Sequence, residues 1–206
     1  QSGVRAMGQS PAPLSSICVF CGSSDQADPA LLAAAATLGR DLARERLKMV
    51  YGGGGVGLMG ACAIAAHEAG GQVLGVIPSF LKEKERRLDV VETVTVTSMH
   101  ERKMMMFELS DGFVVLPGGI GTLEEVVELL SWRRLDLHFK PVVFYNPDDF
   151  WEPLFALFRH VVAQKLTPPA FLDSWDTVER IEDIVPALRR PRAQVSQMAP
   201  AIAEIT

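Results

Sequence analysis

No stretch of this chain is long and apolar enough to cross a bilayer as a helix. Spanning takes roughly 20 apolar residues in a row, and the best run, Val73 to Leu81, is short and broken by Gly75 and Pro78. No membrane partner is expected. A basic run is missing too: 20 Lys and Arg stand against 25 Asp and Glu, a formal charge of −5. That balance argues against gripping a nucleic acid polymer, although one phosphate can still be held locally. Cysteine is scarce and odd in number. Cys18, Cys21 and Cys62 occur without the apolar core of a signal peptide, which points to reduced thiols and a cytoplasmic location. Cys18 and Cys21 are three apart on a strand and so face opposite sides, with no second pair to complete a zinc site. His67, His100, His138 and His160 match neither H-E-x-x-H nor H-x-x-E-H, so no metal site is expected.

What remains is an ordinary globular composition, 48% hydrophobic and 22% charged over 206 residues, enough for one α/β domain with a sizeable core. Residues 1–15 read as a flexible leader or expression remnant, with Met7 a candidate native start, 16–190 as the domain and 191–206 as a C-terminal tail that frays. Short β-branched runs predict strands at 16–20, 48–51, 72–77, 91–97, 113–116, 141–145 and 176–178. Helical periodicity predicts helices at 29–46, from 58 to the Gly70-Gly71 stop, from about 98, at 122–135, at 153–164 and at 179–190. The charged segment 82–90, KEKERRLDV, reads as a surface excursion. Strands alternating with helices in this rhythm specify a doubly wound, Rossmann-like parallel sheet flanked by helices. Its ligands sit at the carboxyl ends of the strands. The turns at 22–24, 52–60 and 117–122 all follow strands and converge there.

Gly55-Val-Gly-Leu-Met-Gly60 satisfies G-x-G-x-x-G, but the next strand ends Val76-Ile77-Pro78-Ser79, without the acidic residue that holds a dinucleotide ribose. NAD is disfavoured, and no Lys-Ser or Lys-Thr pair makes a Walker A loop. The glycines then serve either tight strand-to-helix packing or the backbone's approach to a ligand. "LPGGIGTLEEVVELL", residues 116–130, presents Gly119, Gly121 and Thr122 at a helix start, where orphan N–H groups and the dipole favour an anion such as a phosphate. Thr122 and Glu125 also spell a capping box, which explains neither three glycines nor the proline. Glu124 and Glu125 diverge by about 100° around the helix, and geometry alone leaves open which is reactive. Arg102 and Lys103 stand at another helix start, against the dipole. A nearby phosphate or carboxylate offsets them there, unless they form a solvated surface pair. The Met104 to Met106 run reads as core filling.

Taken together, "VFCGSS", "YGGGGVGLMG", "GVIP", "MHERK" and "LPGGIGTLEE" occur in the order and spacing of the LONELY GUY family of cytokinin riboside 5'-monophosphate phosphoribohydrolases, which the chain resembles from about Ile17 to Val185. An older label of many relatives, lysine decarboxylase, has no distinct warrant here. The resemblance implies hydrolysis of the N-glycosidic bond of N6-substituted adenosine 5'-monophosphates to free base and ribose 5-phosphate, with no metal or organic cofactor. It implies Arg102 and Glu125 as the catalytic pair, which decides between the two glutamates. The substrate-binding candidates are Ser23, Gly53, Gly54, Met59, Glu85, Lys103, Pro117, Gly118, Gly119, Gly121 and Thr122. Glu85 lies in segment 82–93, which departs from the family's usual sequence. A homodimer is implied as well, with the apolar helix 126–137 as a candidate surface. The chemistry suits these residue types: a carboxylate stabilises an oxocarbenium-like ribose and activates water, and a guanidinium steadies the departing base or holds the nucleotide. The rival reading is a carrier that binds a nucleotide or a phosphorylated pterin-like cofactor without turning it over.

Overall fold

The structure is a computed structural model and describes residues 13–198. Most of the predicted leader, Met7 included, and residues 199–206 of the tail lie outside the described residues. Seven parallel strands form one sheet: β1 (Ser16–Phe20), β2 (Lys48–Tyr51), β3 (Val73–Pro78), β4 (Glu92–Val96), β5 (Gly112–Val115), β6 (Val142–Tyr145) and β7 (Asp176–Val178). Their spatial order is β4-β3-β2-β1-β5-β6-β7. From β1 the chain winds outward to β4, then returns to the other side of β1 with β5. A crevice therefore opens between the carboxyl ends of β1 and β5.

Alternation along the strands builds two cores. Ile17, Val19 and Cys21 face α1 (Pro29–Arg44), α2 (Gly57–Glu68) and α6 (Ile184–Leu188); Cys18 and Phe20 face α3 (Met99–Glu108), α4 (Ile120–Arg134) and α5 (Glu152–Ala163). Central strands buried on both faces read as continuous apolar runs, as parallel sheets require. On the first face α1 and α2 lie unusually close, because a Cβ on Gly39 would collide with the main chain of Cys62. On the second, Phe144, Phe155, Phe158, Phe171 and Trp175 form an aromatic cluster under α5.

Four expectations change. Helix α4 begins at Ile120, two residues earlier than predicted, with Gly119 as its N-cap. The final helix shrinks to α6, five residues, preceded by a 3₁₀ turn at Ile181–Asp183. Pro186 is the reason: a proline is tolerated in the first turn of a helix, so the helix cannot start far upstream of it. Residues 192–198 are tied down rather than frayed. Arg133 donates to Val195 O at 2.8 Å, Gln197 N donates to Asp136 at 2.9 Å, and Gln197 reaches Ser174 at 2.8 Å. Finally, segment 82–90 folds over the first glycine turn, where Gly55 N donates to Arg86 O at 2.8 Å and Leu88 N to Gly53 O at 3.2 Å.

Candidate active site

At the β1/β5 crevice the two post-strand turns are joined directly: Gly22 N donates to Pro117 O at 3.0 Å. Gly118 packs on Thr122, whose hydroxyl occupies the place a Cβ on Gly118 would need. Thr122 is buried, in the first turn of α4 rather than at its cap. The capping box that Thr122 and Glu125 spell, the rival to an anion site, is therefore not formed, and Gly119 offers no side chain to the first amides. The first bond onto the turn runs from Leu123 N to Gly119 O at 3.0 Å. Among the described residues it leaves the amides of Ile120, Gly121 and Thr122 without an acceptor, at the positive end of the dipole.

A capping arrangement of the predicted kind sits instead on α3. Ser98 accepts from Glu101 N at 3.1 Å, and Glu101 accepts from Thr97 N at 2.7 Å and Thr97 Oγ1 at 2.8 Å. This finished helix start holds Arg102, which is buried. Arg102 Nε donates to Val76 O at 3.0 Å; Nη2 donates to Gly52 O at 2.6 Å and to Glu85 Oε2 at 2.8 Å. A guanidinium has five donors, so among the described residues Nη1 keeps two without a protein partner, in a residue that lines the cavity. A Cβ at position 52 would run into Nη2, so a larger residue there displaces the guanidinium. Carboxylates thus offset the cations of α3, Glu85 for Arg102, and Glu124 and Glu128 for Lys103. A solvated surface pair does not describe them.

Glu125 is half-buried on the cavity wall. Burial pushes its carboxyl up to about 7; Arg102 and Lys103 pull it down, and Glu124 and Glu85 add to the rise. The thiols of Cys18 and Cys21 are raised well above the ordinary cysteine value, first by burial, so they stay neutral, and Cys21 gives the cavity a small apolar wall.

The cavity measures about 860 Å³. Its polar side carries Ser23, Ser24, Glu85, Arg102, Glu124, Glu125 and the turn from Pro117 to Thr122; its apolar side carries Phe20, Ala27, Leu31, Leu58, Met59, Met99, Met106 and Phe150. Ser23, Met59, Glu85, Arg102, Pro117, Gly118, Gly119, Gly121, Thr122 and Glu125 are brought together here. Gly53, Gly54 and Lys103 are not among the lining residues. Gly54 N donates to the Met59 sulfur at 3.3 Å and so orients a residue that is. Gly53 has φ of 84° and packs on Ile77. Apart from Met59, the apolar lining escaped the sequence reading, Phe150 above all. Its one signal is position: it follows β6 at the same carboxyl edge, after a turn in which Asp148 and Asp149 have positive φ. Among the described residues no three His, Cys, Asp or Glu side chains gather as a metal-holding group.

Comparison with known proteins finds related sequences and related folds. A family model described as "Possible lysine decarboxylase" matches residues 59–188. A cytokinin riboside 5'-monophosphate phosphoribohydrolase of Arabidopsis thaliana is 44% identical over 155 residues, covering 75% of this chain and 68% of that protein. One from Rhodococcoides fascians is 40% identical over 178 residues, covering 85% and 90%. Among solved structures, a molybdenum cofactor binding protein of Rippkaea orientalis aligns with TM-score 0.63 and 27% identity over 84% of this chain and 94% of that one. The molybdenum cofactor carrier protein of Chlamydomonas reinhardtii, at TM-score 0.66 and 21% identity over 86% and 97%, shares the fold.

Proposed function

Since the chain belongs to the LONELY GUY family of cytokinin riboside 5'-monophosphate phosphoribohydrolases, we propose that it hydrolyses the N-glycosidic bond of adenosine 5'-monophosphates that bear an N6 substituent. The observation that carries the residue roles is a single helix start that offers unsatisfied amides and, one turn on, an enclosed carboxyl. The nucleotide phosphate sits on the amides of Gly119 to Thr122, where peptide N–H groups and the dipole favour it. That seating brings the anomeric carbon to Glu125. As the bond to the base breaks, the ribose gains oxocarbenium character, which the Glu125 carboxylate stabilises while accepting a proton from the attacking water. The water oxygen ends on the ribose, its proton on the released base. A carboxyl that titrates near neutrality is suited to taking and returning that proton.

Arg102 is held by two main-chain carbonyls and Glu85, so its free Nη1 donors meet the nucleotide without reorganisation. The apolar wall of Met99, Met106, Leu31 and Phe150 receives the substituent on the base. We place a second copy over the outward side of α4 and the turn after it, where Ile120 is 83% exposed and Val127, Leu135 and Leu137 are also exposed; sedimentation at micromolar concentration checks this. The three buried free thiols suit the reducing cytoplasm.

The test is product analysis. Incubation with isopentenyl adenosine 5'-monophosphate yields free base, and Glu125→Gln lowers kcat by about 10²–10⁴-fold while calorimetry shows nucleotide binding largely kept. Base release that survives this substitution overturns the role of Glu125. Binding of a phosphorylated pterin without any base release favours a carrier.

A further inference from the structure

We propose that Lys103 is a positioning residue: it clamps α3 to α4 next to the active site and so fixes Arg102 relative to Glu125, without touching substrate itself. The proposal rests on the hydrolase reading for its kinetic consequence only. Lys103 follows Arg102 on α3, and about 100° of helix rotation sends the two side chains to different neighbours. Arg102 turns to the sheet, reaching Val76 O and Gly52 O. Lys103 turns to α4, where Nζ donates to both Glu124 and Glu128, the latter at 2.6 Å.

Several observations make this a clamp rather than a surface pair. The Lys103 side chain is only 12% exposed. Burial disfavours its charge, yet the two carboxylates outweigh that and hold the ammonium above its ordinary value. Lys103 is absent from the cavity lining, whereas its neighbour Arg102 and its partner Glu124 both belong to it. The far ends of the two helices are joined separately, by the edge-on contact of Phe107 with Trp132, centroids 5.2 Å apart. At the catalytic end the tie is Lys103. It also ties the carboxylate of Glu124, which lines the cavity, to α3.

The groups that face Glu125 are Arg102 and Lys103 from α3, Glu124 on its own helix, Glu85 from the covering segment, and the neutral thiols of Cys18 in β1 and of Cys21 just after it. Deleting Lys103 removes one of two cations and releases one of two acids. The field at Glu125 then becomes more negative, and protonation is favoured.

The experiment compares wild type, Lys103→Met, Lys103→Arg and the double variant Lys103→Met with Glu124→Gln. The first readout is the ¹³C carboxyl titration of Glu125 in the free protein, assigned with Glu125→Gln. The second is kcat and KM for isopentenyl adenosine 5'-monophosphate against pH. In Lys103→Met the Glu125 midpoint moves up by about half a unit or more, kcat at pH 7 falls roughly 10-fold and KM stays within about threefold. Lys103→Arg retains the clamp and most of kcat, and the double variant returns the midpoint toward wild type. A large rise in KM with an unmoved midpoint overturns the proposal by making Lys103 a nucleotide ligand. An unmoved midpoint with unmoved kinetics overturns it by making the trio ornamental. If wild type releases no base, the hydrolase reading fails, and the titration still decides the clamp.

Discussion

Two glycine-rich turns follow strands in this protein, and in sequence they look interchangeable. Their glycines exist for opposite reasons. In the turn after β2, a Cβ on Gly55 would lie 2.6 Å from Arg86 O, one on Gly57 would lie 2.6 Å from the main chain of Ser23, and one on Gly60 would run into Gly55 O. Gly53 and Gly57 also take positive φ, 84° and 63°, which favours glycine. The protein itself fills the space that side chains would need there. In the turn after β5, Gly118 is excused by Thr122, but Gly119 and Gly121 have nothing within 4 Å of an added Cβ. No internal contact explains those two. Space kept free in front of unsatisfied amides is what a bound anion requires. A glycine pattern thus states that something approaches the backbone, and only the fold says whether that is another part of the chain or a ligand.

The comparison breaks first on stability. Gly60→Ala forces a methyl into the main chain of its own turn and is expected to cost about 3 kcal/mol, read as a lowered denaturant midpoint; an unchanged midpoint would remove the packing explanation. Next comes the carboxyl behind the second turn. Burial lifts Glu125 to about 7, above the 4.5 of an unperturbed glutamate. Below pH 4.5 both folded and unfolded states hold the proton, and no penalty arises. Between 4.5 and 7 the unfolded chain releases it first, so the folded state loses stability as pH rises, by at most about 3 kcal/mol at pH 8. Glu125→Gln removes that penalty. Its advantage in Tm over wild type is expected to be absent at pH 4.5 and full by pH 8, and a constant difference across this range would mean that the carboxyl is solvated.

The layered architecture was legible because it rests on local regularities: strand runs alternate with helical ones, and the three unusual turns all follow strands. Where the reading failed, the deciding partner was remote. The same S/T-x-x-E pattern occurs at Ser98 and at Thr122, and only the first forms a cap. At Thr122 the hydroxyl is taken up against Gly118, a contact that depends on how β5 delivers the turn. Segment 82–90 looks like solvated charge, yet Glu85 dips to Arg102 because the covering main chain bonds to Gly53 and Gly55. Lys103 reads as one half of a cationic pair; its true partners lie on α4, more than twenty residues away. Phe150 had no motif at all, only a place at the strand edge.

The finest test of the comparison uses the two unexcused glycines, where stability and binding should part. Gly121 lies in the first turn of α4 in open space. Gly121→Ala is therefore expected to leave folding intact or to stabilise it by about 0.5–1 kcal/mol, because alanine loses less backbone entropy in a helix. Gly119→Ala should be close to neutral. In the proposed seating both methyls stand where phosphate oxygens approach the amides, so KM for the nucleotide should rise about 10-fold, about 1.4 kcal/mol of binding. A variant at either position that gains stability and binds as before would show that the anion sits elsewhere. A stabilised chain with weakened binding would show that these glycines are kept for the ligand, against the preference of the helix itself.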